Sequence, residues 1–233
     1  MTGPSAFTVL CCRVDRSDSG GGPRVSAGVT EILNACGDRD VRFVGPRPGK
    51  GIDPLLTGRV LVVGDDADLA AVALRLLRRE LLGSVEVGYA SPAPTAVTDL
   101  WQLPRGAAAA RLAATGRGGE VPLVRDDVGG VLVGAGSLGP LTGTVYVDEH
   151  RALQGPAHAL RVQPHPDKGL AVTVTHRRFA GLANRSTTTL GRAVQIGCAA
   201  TSVIRDGVAY QRPMERWTFY KHTEPLRLVR ADR

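Results

Sequence analysis

An apolar run, Val60 to Val63, ends in Gly64-Asp65-Asp66, and an apolar stretch with helical spacing follows it. A glycine at the end of a strand lets a phosphate approach the backbone, and the N-terminus of the next helix favours an anion. In open parallel sheets, ligands bind beyond the carboxyl ends of the strands. Acidic neighbours act against a phosphate, since like charges at ~4 Å repel by about 1 kcal/mol in water and several times more in a partly dry site. Magnesium would offset that repulsion, because carboxylates hold this ion beside phosphates, and Asp66 is the candidate ligand. The same residues also suit a plain acidic helix cap. From this stretch alone, a phosphate loop and a cap both remain open.

Other segments carry weaker chemistry. Ser19, Gly20 and Gly21 lie in a Gly/Ser-rich stretch, 17–24, that could cradle a phosphate or form a polar loop. Asp206-Gly207 stands between two β-like runs, which is a hairpin signal as much as a catalytic one. Asp167-Lys168-Gly169 reads as another turn before a strand. The histidines, His150, His158, His165, His176 and His222, are dispersed, with no i, i+4 pair to hold zinc. Cys11, Cys12, Cys36 and Cys198 show no metal-ligand spacing and read as reduced thiols.

Positioning these residues requires a scaffold. Segments 6–14, 40–45, 59–64 and 85–91 read as strands, and 25–36 and 67–81 as helices. Segment 46–58 reads as mostly loop, and 96–116 as helix interrupted at Pro104. Strands alternating with helices predict an α/β domain over 1–116, a parallel sheet with helices on both faces. From about residue 117 to 233 the pattern becomes short β-like runs, predicting an antiparallel β-sandwich whose last strand could return to the first domain. Segment 177–191 is polar and without period, and reads as a long loop or a short helix.

With 233 residues there is ample length for a buried core, and with 4% aromatics that core must be built from Leu, Val and Ala. No apolar run approaches the ~20 residues of a membrane span. The first residues lack the basic start of a leader, so a cytoplasmic protein is expected. The net charge of +7 is nearly all arginine, Lys50, Lys168 and Lys221 being the only lysines. The arginines are scattered with few aromatics between them, so no specific nucleic-acid partner is expected.

Taken in order, these segments resemble the diacylglycerol kinase family of lipid kinases, which shares its fold with NAD kinases. The likeness spans most of the chain and is clearest over 190–230. The family's Gly-Gly-Asp-Gly-Thr-Leu signature falls on Gly64, Asp65, Asp66, Ala67, Asp68 and Leu69, where the first glycine, the aspartate and the leucine match. Its Asn-Pro-x-Ser-Gly loop falls near Asp15 to Gly22, and its Gly-Thr-x-Asn-Asp stretch near Pro94 to Asp99, where Thr95 and Asp99 stand. Its Asp-Asp-Gly-x-Leu turn is similar to Asp167-Lys168-Gly169-Leu170, and its Asp-Gly-Glu turn to Asp206-Gly207-Val208. The resemblance implies ATP-dependent phosphoryl transfer to a lipid hydroxyl, with Asp206 as general base. It implies ATP and magnesium as cofactors and a lipid or a membrane surface as partner, with a second copy of the chain as a further candidate. Since Asp65, Ala67 and Asp68 replace two glycines and a threonine, the expected protein is a diverged kinase with an eroded loop. The alternative is an inactive pseudokinase that binds a ligand or partner.

Overall fold

The computed structural model describes residues 7–13, 24–178 and 183–231. They form two compact units, one of Met1–Val121 with Glu224–Arg233 and one of Pro122–Thr223.

The first unit is built on strands β1 (Phe7–Cys11), β2 (Asp40–Phe43), β3 (Arg59–Val63), β4 (Glu86–Ala90) and β5 (Arg117–Val121), with the distant strand β18 (Leu226–Arg230). Helices α1 (Ala27–Ala35), α2 (Asp66–Arg78), α3 (Ala96–Trp101) and α4 (Gly106–Thr115) connect them. The sheet order is β2-β1-β3-β4-β18-β5. β1 to β4 are parallel, and β18 joins β4 in parallel. The expectation of a parallel sheet needs correction at one edge: β5 pairs antiparallel with β18, so the sheet is mixed. Strand β5, read from the sequence as the start of the second domain, belongs to this sheet.

Alternation along the strands sends side chains to opposite faces. Val9, Cys11, Leu61, Val63 and Ala90 pack with Val29 and Ile32 of α1 and Ala109, Ala110 and Ala113 of α4. Val29 and Ile32, which helical spacing puts on one face of α1, are its buried positions. Tyr89 faces the other way and meets the first turn of α2. Pro104 falls between α3 and α4, where its missing N–H costs no helical bond. Segment 46–58 differs from the loop expected, because Lys50–Leu55 forms a 3₁₀ helix.

The second unit holds two antiparallel sheets. The first contains β6 (Val124–Asp126), β7 (Val131–Leu132), β9 (Leu141–Val147), β10 (His150–Ala157), β14 (Ala193–Thr201) and β17 (Met214–Lys221). Its order is β10-β9-β14-β17-β6-β7. The second contains β8 (Gly136–Leu138), β11 (Ala159–His165), β12 (Gly169–Arg178), β13 (Ala183–Gly191), β15 (Val203–Arg205) and β16 (Val208–Ala209), in the order β13-β12-β11-β8-β15-β16. Val145, Val194, Trp217 and Phe219 of one sheet share a core with Leu138, Leu160, Val172 and Val203 of the other. The loop or short helix expected over 177–191 is corrected: 183–191 is strand β13, an edge paired with β12. No helix among the described residues is long and apolar enough to cross a membrane.

Candidate functional site

The strand order turns about β1: β2 lies on one side of it and β3 on the other. At such a switch point the loops after neighbouring strands part and leave a crevice. A cleft of about 580 Å³ lies there, lined by Cys12 and Arg13 after β1, Gly64 and Asp65 after β3, and Ser91 to Thr95 after β4. Val29 and Pro46 add apolar wall.

The floor of this cleft is set by the first turn of α2. Asp65 is its N-cap, and Asp68 closes a reciprocal capping box. The Asp68 N–H donates to Asp65 Oδ1 at 3.0 Å, and the Asp65 N–H donates to Asp68 Oδ2 at 3.0 Å. A third donor, the Arg47 N–H, reaches Asp68 Oδ1 at 2.7 Å. Arg13 spans both acids, with Nε 3.2 Å from Asp68 Oδ2 and its other end paired with Asp65. Asp68 is fully buried. A Cβ added to Gly64 would lie 2.8 Å from the Asp68 Cβ and 2.9 Å from its Cγ. The space that a glycine leaves above this turn is therefore filled by the protein's own carboxylate. Burial pushes the Asp68 carboxyl above the usual range, and the Arg47 N–H and the Arg13 charge oppose this without cancelling it.

Asp66 points elsewhere. It is 7% exposed, and accepts from the Tyr89 hydroxyl at 3.0 Å and the Val97 N–H at 3.3 Å, one donor on each oxygen. It braces α2 to β4 and to the start of α3. A magnesium ion, the role expected of Asp66, would have to share these oxygens with the Tyr89 and Val97 donors. Among the described residues no three His, Cys, Asp or Glu side chains gather to hold a metal, and both oxygens of Asp66 already serve the fold. Thr95 is the N-cap of α3, in a capping box with Thr98, and its hydroxyl lies 3.4 Å from that of Tyr89. Asp99 is exposed in the first turn of α3 and does not line the cleft. Cys12 does line it, but burial and the nearby Asp68 charge push its thiol up, so it stays protonated.

Gly64, Asp65, Asp66 and Thr95 are thus brought together in the first unit. Ser19, Gly20 and Gly21 lie outside the described residues. Asp206, Gly207, Asp167 and Gly169 sit on two hairpins of the second unit. Asp206 and Gly207 turn between β15 and β16, with φ of 46° and 83°, as two-residue hairpins prefer. Asp206 is buried and accepts from the N–H groups of Val133 at 3.0 Å, Gly134 at 2.8 Å and Ala135 at 3.0 Å. In this arrangement it fastens the Val133–Ala135 segment to the hairpin. Asp167 is exposed at its turn. Gly169 pairs with His165 across that hairpin and is packed over Lys221, whose Cδ would lie 2.7 Å from an added Cβ.

Sequence reasoning missed Arg13, Arg47 and Tyr89 as parts of the site. The first two act through an ion pair and a backbone N–H across long sequence separations, which leave no local pattern. The Asp65-x-x-Asp68 spacing, in contrast, is a readable capping signal.

No protein-family model matches the chain, and no curated protein does. Solved structures do. The chain is similar to a diacylglycerol kinase from Bacillus anthracis str. Sterne, at 11% identity over 98% of each chain, with a TM-score of 0.65. It is similar to an NAD kinase from Archaeoglobus fulgidus in complex with ATP, at 12% identity over 97% of this chain and 94% of the other, with a TM-score of 0.58. A yeast NADH kinase complexed with NADH matches at 9% identity over 99% of this chain and 84% of the other, with a TM-score of 0.57. The chain has the fold of diacylglycerol and NAD kinases.

Proposed function

We propose that this chain, with its kinase-type fold, is a diverged diacylglycerol kinase-like protein that works as a ligand-binding module rather than as a phosphoryl-transfer enzyme. Its ligand enters the cleft beyond β1, β3 and β4. One observation carries the reading: the Asp68 carboxylate fills the space above Gly64 and takes the Asp65 and Arg47 N–H groups. Backbone N–H groups at a helix start are what a phosphate would need. Displacing Asp68 would leave those donors to the incoming group, but would also strand a buried carboxylate, a penalty of several kcal/mol. The occupied N–H groups at this loop and the hydrogen bonds already made by Asp66 support a cleft that does not hold ATP phosphates and magnesium for transfer.

The kinase reading, ATP-dependent phosphorylation of a lipid hydroxyl with Asp206 as base, draws support from the shared fold and from the cleft's place at the switch point. One assay separates the two. The protein is incubated with labelled ATP, magnesium and vesicles containing diacylglycerol, beside the Asp206→Asn variant. No labelled lipid above a protein-free control is expected. Lipid phosphorylation by the wild type would overturn the non-catalytic reading, and its loss in a folded Asp206→Asn variant would assign the base.

A further inference from the structure

The second unit carries a surface with its own chemistry, the outer face of the sheet β10-β9-β14-β17-β6-β7. Val145, Val194, Trp217 and Phe219 point into the core, so their chain neighbours point outward. In one outward row Arg151 stands beside Tyr146, Tyr146 beside Gln195, and Gln195 beside Thr218. In the next row Ala193 stands beside Tyr220, and Tyr220 beside Arg125. Arg216 lies on the same face, beside Gly197. Residues scattered along the sequence are thus gathered by five strands. A tyrosine flanked by an arginine lies at each end of a diagonal, with Ala193 and Gln195 between. The tyrosines are two strands and two residues apart, a separation of about 12 Å. Tyr146 is 41% exposed. Arg151 and Arg216 are exposed, and Tyr220 and Arg125 half-buried. None of the three arginines makes an ion pair with a described residue. The Arg125 guanidinium lies over the Tyr220 ring, 5.8 Å from its centroid, and its Nε is buried without a hydrogen-bond partner. An unmet donor on a charged group favours an anion beside it.

The face itself carries three cations and no carboxylate. Asp126 and Glu215 alternate to the opposite side, where Asp126 pairs with Arg205. Asp127, Asp148 and Glu149 lie in turns at the margins. Asp148 there accepts from the N–H groups of Arg192 and Ala193, and Arg192 adds a positive charge. A phosphate on the face meets its own neighbours first, because exposed charges are screened over ~8 Å. Among the exposed large apolar side chains of the described residues, only Tyr146 belongs to this sheet, so no aliphatic group stands ready to enter a bilayer. Thr144, Gln195 and Thr218 offer hydrogen bonds instead. Flat aromatic rings beside unpaired arginines are what stacked bases and their phosphates require. We propose that this face binds single-stranded nucleic acid without sequence preference, its bases stacking on Tyr146 and Tyr220 and its phosphates meeting Arg125, Arg151 and Arg216. The inference does not depend on the cleft of the first unit.

Fluorescence anisotropy of the full chain tests this, with labelled oligo-dT and oligo-U of about 16 nucleotides, a DNA duplex of the same length, and phosphatidylserine vesicles in a parallel sedimentation. Single strands should bind about fivefold or more tightly than the duplex, the gain from one stacked base. Their log affinity should fall against log salt with a slope of about −2, three phosphates at ~0.7 each. Tyr146→Ala alters an exposed side chain, so the fold should survive with an unchanged melting temperature. It should weaken single-strand binding about fivefold or more, while Tyr146→Phe, which keeps the ring, should not. Arg151→Gln and Arg216→Gln, also exposed, should each make the salt slope shallower by about 0.7. A wild type that binds no oligonucleotide would overturn the proposal. So would equal binding of duplex and single strand with Tyr146→Ala unchanged, which would leave only a general attraction for polyanions. Binding to the vesicles but not to oligonucleotides would overturn it in favour of a membrane surface.

Discussion

Tyr89 donates to one oxygen of Asp66 and the Val97 N–H to the other, so this acid joins a strand to two helices at once. Burial, and then the Asp66 charge, push the Tyr89 phenol above its usual range. Tyr89→Phe removes one donor from a buried carboxylate and should cost about 1.5–3 kcal/mol, the range for hydrogen bonds to charged groups, measurable by urea unfolding near neutral pH. The sign with pH follows from the raised value. Stability tied to the protonated phenol is complete below the unfolded pKa of about 10 and falls as pH rises above it, since the folded state then holds the extra proton. The wild-type advantage over Tyr89→Phe should therefore shrink in alkaline solution, and an advantage that grows there would refute this account of Tyr89. The site was partly legible at this scale. Asp65-x-x-Asp68 and Thr95-x-x-Thr98 are capping spacings visible in the sequence. That Asp68 turns back over Gly64 was not, because the donors that hold it come from Arg13 and Arg47, on other loops.

Among the elements, α4 lies very near the sheet. A Cβ on Gly88 of β4 would stand 2.6 Å from the Cβ of Ala113, so glycine here is a condition of close helix-to-strand approach. Gly88→Ala forces the two apart, and overpacking of this kind costs typically about 1–3 kcal/mol. A urea midpoint unchanged by Gly88→Ala would show that α4 yields freely. The parallel strands were readable because burial on both faces leaves continuous apolar runs such as Val60–Val63. Strand β13 was not, since its side chains are largely exposed and carry no apolar alternation. Hydroxyl pairs mark its register instead, Thr173 with Thr188 at 2.8 Å and Thr175 with Ser186 at 2.9 Å. Its run of threonines is a β-propensity signal without apolar period.

For the whole molecule the decisive element is β18, which returns to sit between β4 and β5. It buries Leu226, Leu228 and Val229, each no more than 2% exposed. At roughly 1.5–3 kcal/mol per buried side chain, the three together rival the ~5–15 kcal/mol that holds an ordinary domain folded. Ending the chain at Thr223 should therefore unfold the first unit and spare the second. Limited proteolysis should cleave throughout 24–121 while 122–223 resists, and a first unit that stays resistant would disprove this. The position of β18 also sets an order in time. On a ribosome the amino-terminal part emerges first, and domains usually fold in that order. Here the first sheet lacks an inner member until the 122–223 segment has been made and β18 has followed it. The second unit, contiguous in the chain, can close earlier. The first unit, although its strands begin earlier in the chain, should thus complete its sheet only after the second unit has been made.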